Sequence, residues 1–218
     1  SSAASDVYKR QLMGSVISKP ALRKKFLDRR RLTFSPAQRI QAESQVLAAA
    51  RPLLDSLKPG EAVASYLSFD TEVPTFLLNE AILDSGLKLM VPCDLEQPRW
   101  GQLDPVQHTR ALYRRFNPHP PLLSKEMHGN ELAKLGLKFI FLPALAVDRT
   151  QARLGRGAGW YDQALAHCNL TGSTRPQLIA LTHDWEVLQA GTLPQEPHDQ
   201  LVDQVLTSSG RLQKLGSE

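Results

Sequence analysis

The stretch Phe139-Ile140-Phe141-Leu142-Pro143-Ala144-Leu145-Ala146-Val147-Asp148 leads, five residues later, into Arg153-Leu154-Gly155-Arg156-Gly157-Ala158-Gly159-Trp160-Tyr161-Asp162. The first part is apolar from Phe139 to Val147 and reads as a buried strand. The second alternates glycine at 155, 157 and 159 and then turns to helix-compatible residues as far as about Cys168. Glycine lets the backbone approach a ligand and point several N–H groups one way. A helix starting near Trp160 adds its positive end, and Arg153 and Arg156 add full charges able to grip a phosphate. The pattern predicts an anion cradle. It is not a P-loop, because no Gly-Lys-Ser/Thr follows. It is not the dinucleotide fingerprint, because the third glycine comes too soon after the second. A plain glycine-rich surface turn fits the same residues.

Working outward, strands are expected at Ala62–Phe69, Leu87–Val91, Trp100–Leu103, Leu178–Leu181 and Asp199–Leu206. Helices are expected from Lys19 to Arg31, from Ser35 to about Leu57, over Thr75–Ser85 and over Asn130–Leu135. Ser35-Pro36-Ala37-Gln38 has the form of a capping box. Leu22 and Phe26 share one face of the first helix. Strand, helix and strand in alternation predict an α/β domain with a largely parallel sheet. Residues 94–127, with five prolines, read as a long irregular excursion. No repeat or linker divides the chain. One domain over 19–218 is expected, after an N-terminal extension, 1–18, in which Met13 is a candidate start.

Composition narrows the function classes. The chain has 218 residues, 42% of them apolar, and a net charge of +4, which excludes low-complexity disorder and does not demand nucleic acid. The apolar runs are too short to span a bilayer. Cys93 and Cys168 form no framework, so a reducing, cytoplasmic setting is expected, with no membrane partner.

Other candidate residues are open to two readings. Asp162 reads as a helix cap or as a Mg²⁺ ligand beside phosphates. Lys19 and Arg23, four apart, point at one target or form a solvated basic face. Glu72 is a ligand-binding acid at a strand end or a turn acid. Trp100, Phe116 and Trp160 are aromatic walls or core. Asp199 and Asp203 flank a short apolar stretch and read as a carboxylate that completes a metal site or as ordinary surface acids. The histidines and cysteines lack zinc spacing, and no Gly-x-Ser-x-Gly elbow is present.

Taken in order, Lys19-x-x-Leu22-Arg23, Leu67-x-x-x-x-Glu72, Pro143-x-x-x-x-Asp148, Arg153 to Asp162, and Glu196-Pro-His-Asp-x-x-Val-Asp203 resemble the 5-formyltetrahydrofolate cyclo-ligase (5,10-methenyltetrahydrofolate synthetase) family. The resemblance spans about residues 19–206. It implies a three-layer α/β/α sandwich with a mixed, mostly parallel, Rossmann-like sheet. It also implies an ATP- and Mg²⁺-dependent enzyme acting on 5-formyltetrahydrofolate, with no nucleic acid partner and a monomeric state. Carried over, Lys19, Arg153 and Arg156 are the catalytic cations. Lys19, Arg23 and the whole of Arg153, Leu154, Gly155, Arg156, Gly157, Ala158, Gly159, Trp160 and Tyr161 bind ATP. Leu67, Glu72 and Arg156 to Trp160 line the folate site, and Asp162 with Asp203 holds Mg²⁺. There are departures: Ala158 stands where lysine is frequent, Trp160 where tyrosine is usual, and Pro74 where an acid is common. Ala158 and Trp160 leave room for an alternative, a member that binds folate or nucleotide without turnover.

Overall fold

The computed structural model describes residues 18–94, 98–103, 126–127, 129–166 and 175–216. The expected extension before Ser18, most of the 94–127 excursion, Phe116 and Cys168 lie outside the described residues.

Helix α1 (Lys19–Thr33) has Pro20 in its first turn, where a missing N–H goes unmissed. Helix α2 (Pro36–Asp55) opens on the predicted capping box: Ser35 Oγ accepts from Gln38 N, and Gln38 Oε1 accepts from Ser35 N. The remaining helices are α3 (Phe76–Asp84), α4 (Gly129–Lys134) and α5 (Trp160–Ala166). The main sheet contains β1 (Ala62–Ala64), β2 (Lys88–Asp94), β3 (Arg99–Leu103), β4 (Glu126–Met127), β5 (Phe139–Pro143), β8 (Gln177–Thr182), β10 (Gln204–Thr207) and β11 (Leu212–Lys214). Its order is β11-β10-β8-β5-β1-β2-β3-β4. The five central strands are parallel, and antiparallel partners close both edges.

Side chains alternate along each central strand, so both faces need cover. Ala62, Ala64, Ile140, Leu142, Leu178 and Ala180 face α4 and α5. Val63, Phe139, Phe141, Ile179 and Leu181 face α2 and α3. That is the three-layer α/β sandwich expected from the resemblance. A second, three-stranded sheet of β6 (Ala146–Asp148), β7 (Arg153–Leu154) and β9 (Val187–Leu188) was not foreseen. Its segments are too short for a periodicity signal. It packs against Leu22 and Phe26 of α1 through Leu145, Ala146, Ala152 and Leu154.

Two expected strands are shorter than the sequence suggested. After Ala64, one further ladder bond forms, Ser65 N to Met90 O, and the chain then leaves the sheet. Thr75 Oγ1 and Asn79 Nδ2 both donate to Tyr66 O, which turns residues 66–75 into an ordered loop rather than the end of a strand. Likewise Asp199–Val202 is not strand; pairing with β8 starts at Gln204.

The apolar stripe of α1 ends in an arginine. Leu22, Phe26 and Arg30 are all buried, at the four-residue spacing of one helix face. Arg30 Nε and Nη2 meet the two oxygens of Glu186 at 2.7 Å each, and Nη2 also donates to Ala144 O. Glu186 further accepts from Thr182 Oγ1 and His183 N. Glu186→Gln is expected to destabilise the protein by about 3–5 kcal/mol, because it strands a buried guanidinium without its counter-charge. The double variant Arg30→Met/Glu186→Met is expected to be less destabilised than the two single changes added together. Urea unfolding midpoints of the native protein, Glu186→Gln, the two single methionine variants and the double variant check both statements.

Candidate active site

Four chain segments meet beside the C-terminal ends of β1 and β5. The first is the opening of α1. Arg23 Nε donates to Gly155 O at 3.0 Å, so α1 lies along the glycine loop. A Cβ at Gly157, where φ is +113°, would sit 3.4 Å from the Arg23 guanidinium carbon. Only glycine combines that backbone with that approach. Lys19 Nζ bonds both Asp199 oxygens, at 2.7 and 2.9 Å, and Glu196 Oε2 at 3.0 Å. Burial works against the Lys19 charge, but these acids outweigh it and raise the pKa. Burial also opposes ionisation of Asp199, yet Lys19 and the Glu196 N–H hold its carboxyl below the ordinary aspartate range.

The second segment is the loop itself. Arg153 is buried on β7, and its Nη2 donates to Asp162 Oδ1 at 2.6 Å. Its Nε is buried with no partner. Arg153 thus anchors Asp162 from below, rather than standing free to fork a phosphate. Asp162 is the third residue of α5, not its cap, and the same oxygen accepts from Gln200 N at 3.0 Å. Leu154 packs in the apolar cluster under α1, so its side chain does not face a nucleotide. Trp160 is likewise core, 5.1 Å from the Trp100 ring and 4.8 Å from Tyr161. Arg156, Gly157 and Ala158 are exposed.

The third segment is the 66–75 loop. Arg156 reaches across to it: Nε lies 3.3 Å from Glu72 Oε1 and Nη2 lies 3.4 Å from Asp70 Oδ2. The guanidinium also sits 4.5 Å over the Phe69 ring, which is 57% exposed. Glu72 is only 4% exposed. Its desolvation raises the pKa, against the pull of Arg156 and the Phe69 N–H. Leu67 is half-buried against the α2–α3 face. Glu72 and Arg156 are therefore brought together, with Leu67 on the same loop.

The fourth segment is Glu196–Gln200. Glu196, His198 and Asp199 offer ligand atoms within 4.8 Å of one another, and among the described residues they form the one such group. Gln200 N, on Asp162, ties this group to α5. Asp203, expected beside Asp162 as the second metal ligand, is not a member of this group and has partners of its own. One oxygen of Asp203 accepts from Arg175 at 2.8 Å and the other from Leu178 N at 2.8 Å, at the start of β8. Asp203 sits just before β10, and the residue bonded to Asp162 is Gln200, the neighbour of Asp199. Arg39 and His183, which grip the Glu72 loop, carried no sequence signal at all.

A protein-family model described as the 5-formyltetrahydrofolate cyclo-ligase family matches residues 16–208. A 5-formyltetrahydrofolate cyclo-ligase of Mycolicibacterium smegmatis is 34% identical over 198 residues, spanning 87% of this chain and 93% of the relative. One from Mus musculus is 31% identical over 150 residues, 66% of this chain and 71% of the relative. The solution structure of a 5,10-methenyltetrahydrofolate synthetase from Aquifex aeolicus matches with a TM-score of 0.66 at 21% identity, over 92% of this chain and 94% of that one. At that identity the likeness is one of fold.

A buried acid with a raised pKa lowers stability at neutral pH. Its unfolded form ionises first as pH rises, so the stability it allows is full below the unfolded pKa and lost through the folded one. Glu72→Gln removes that loss. The variant is expected to melt above the native protein at pH 7, with the difference vanishing below about pH 4. Melting curves across that range check it.

Proposed function

The chain belongs to the 5-formyltetrahydrofolate cyclo-ligase family, and from that premise we propose that it uses ATP and Mg²⁺ to convert 5-formyltetrahydrofolate to 5,10-methenyltetrahydrofolate. The observation that carries this reading is the span of Arg156 from the glycine loop to Glu72. A loop suited to phosphate and a loop suited to a polar heterocycle share one cation. Two substrates bound there meet at Arg156.

The chemistry needs little from the protein beyond alignment and charge. A formamide oxygen is a poor leaving group. The γ-phosphoryl group of ATP passes to that oxygen, and ADP departs. N10 then attacks the same carbon, loses its proton, and expels phosphate as the ring closes. Holding both reactants converts the closure to a local step, and fixed cations stabilise the charge that develops on phosphate. Lys19, Arg23 and Arg156 supply the cations, and the exposed backbone of Gly155 to Gly159 supplies N–H donors. Glu72 meets the polar edge of the pterin, with Leu67 beside it.

Magnesium requires hard oxygen ligands and keeps phosphate in its shell. Asp162, Asp199 and Glu196 fit that need, because each offers a carboxylate on the Lys19 side of the loop. The ion would offset phosphate charge there. Lys19 now bridges two of these acids, so it is freed for phosphate when they are otherwise neutralised.

The test is a near-ultraviolet absorbance time course with 5-formyltetrahydrofolate, ATP and Mg²⁺, and with each left out in turn. A signal that needs all three supports the reading; none from folded protein sinks it. Lys19→Ala is expected to raise the KM for ATP by about tenfold or more, the size of a lost charge-assisted contact, with little change in the KM for folate. A folate effect appearing first would show that α1 serves the other substrate. Asp199→Asn is expected to raise the Mg²⁺ requirement, whereas Asp203→Asn is expected to lower the melting temperature and leave the Mg²⁺ requirement alone.

A further inference from the structure

Glu72 is held by its backbone, and two of the side chains that hold it, Arg39 and His183, lie outside the four segments of the site. A residue's position is set by the two peptide planes that flank it. In the plane between Thr71 and Glu72, the carbonyl faces His183 Nε2 at 3.1 Å, and the N–H donates to Phe69 O at 3.1 Å. In the plane after Glu72, the carbonyl accepts from Arg39 Nη1 at 3.1 Å. Arg39 also donates to Asp70 O at 2.7 Å and to Ser68 Oγ at 3.1 Å. Asp70 has φ +51°, an uncommon backbone for a residue with a side chain, and a loop keeps such a residue only when its surroundings fix it. Thr71 Oγ1 is buried and unpartnered, so the grip at Thr71 is on the main chain.

His183 is built into the opposite wall. It follows β8 and is buried between Phe34, at 4.3 Å, and Trp185, at 6.1 Å. Its Nδ1 lies 3.1 Å from Ser208 Oγ, just past β10. Burial favours the neutral ring. A carbonyl only accepts, so the single ring proton belongs on Nε2, where it donates to Thr71 O, and the bare Nδ1 faces the Ser208 hydroxyl, whose one proton it shares with Asp184 Oδ2. The imidazole thus carries the position of the β8 and β10 strand ends to the residue before Glu72.

We propose that His183 is a positioning residue for the folate site: its Nε2–H, opposed by Arg39 on the other side of the loop, fixes the backbone of Glu72 and so the aim of its carboxylate. The inference rests on the reading of Glu72 as the acid that meets the pterin. It adds no catalytic group and requires no movement.

Two amides separate this role from space-filling. The side-chain nitrogen of Gln reaches about as far as Nε2, while that of Asn stops near Nδ1. His183→Gln is therefore expected to keep the KM for 5-formyltetrahydrofolate within about threefold of native, and His183→Asn to raise it by about tenfold, with the KM for ATP nearly unchanged in both. Calorimetric titration of 5-formyltetrahydrofolate into nucleotide-free protein is expected to give the same ranking. Arg39→Met, at a partly exposed site, is expected to show the same folate-only weakening and does not depend on repacking the His183 pocket. Equal effects of Gln and Asn, or a parallel rise in both KM values, would reduce His183 to packing and overturn the proposal. If the native protein neither binds nor converts 5-formyltetrahydrofolate, the reading of the site itself fails and the proposal falls with it.

Discussion

The site depends on one buried ion pair. Arg30 and Glu186 fasten α1 to the end of β8, and Arg30 also meets the carbonyl of Ala144, at the turn between β5 and the small sheet. Leu22 and Phe26 supply apolar contact, which resists separation but tolerates sliding. A bidentate guanidinium–carboxylate pair does not slide. It fixes the rotation and height of α1, and hence where Lys19 and Arg23 stand over the glycine loop. Desolvating two charges is costly, so the pair is better understood as a register device than as a source of stability.

The loops above the sheet show the opposite economy of structure. They are joined to each other by polar contacts that a ligand can exchange. Arg156 pairs with Glu72 and Asp70, and Lys19 pairs with Asp199 and Glu196. Each pair ties one chain segment of the site to another. The cations and acids therefore hold one another in place. Glu72 is the strained member, a nearly buried carboxylate kept where ionisation is disfavoured. Such a residue lowers stability and persists where a site needs it.

Much of this was legible in the sequence. The apolar run before the glycine loop gave β5, the alternation of elements gave the α/β class, and Ser35 to Gln38 gave the start of α2, because each depends on neighbours in the chain. The motif residues at 19, 23, 67, 72 and 153–162 also pointed to one site. The errors have a common origin. Ala62–Phe69 is apolar enough for a strand, but Thr75 and Asn79 take over the carbonyl of Tyr66 and bend it away. Asp203 carries no local sign that Arg175 and the Leu178 N–H take its two oxygens in this structure.

Sequence by itself determined the fold class, the family and the chemical types gathered at the site, since periodicity, capping and motif order are properties of short stretches. Tertiary structure alone decided that Asp199 meets Lys19 while Asp203 meets Arg175, that Arg153 supports an acid, that Leu154 and Trp160 are core, and that Arg39 and His183 hold Glu72. These contacts reach far along the chain, 112 positions for His183 and Thr71. Their partners are chosen by the packing of layers, and no local pattern encodes that choice.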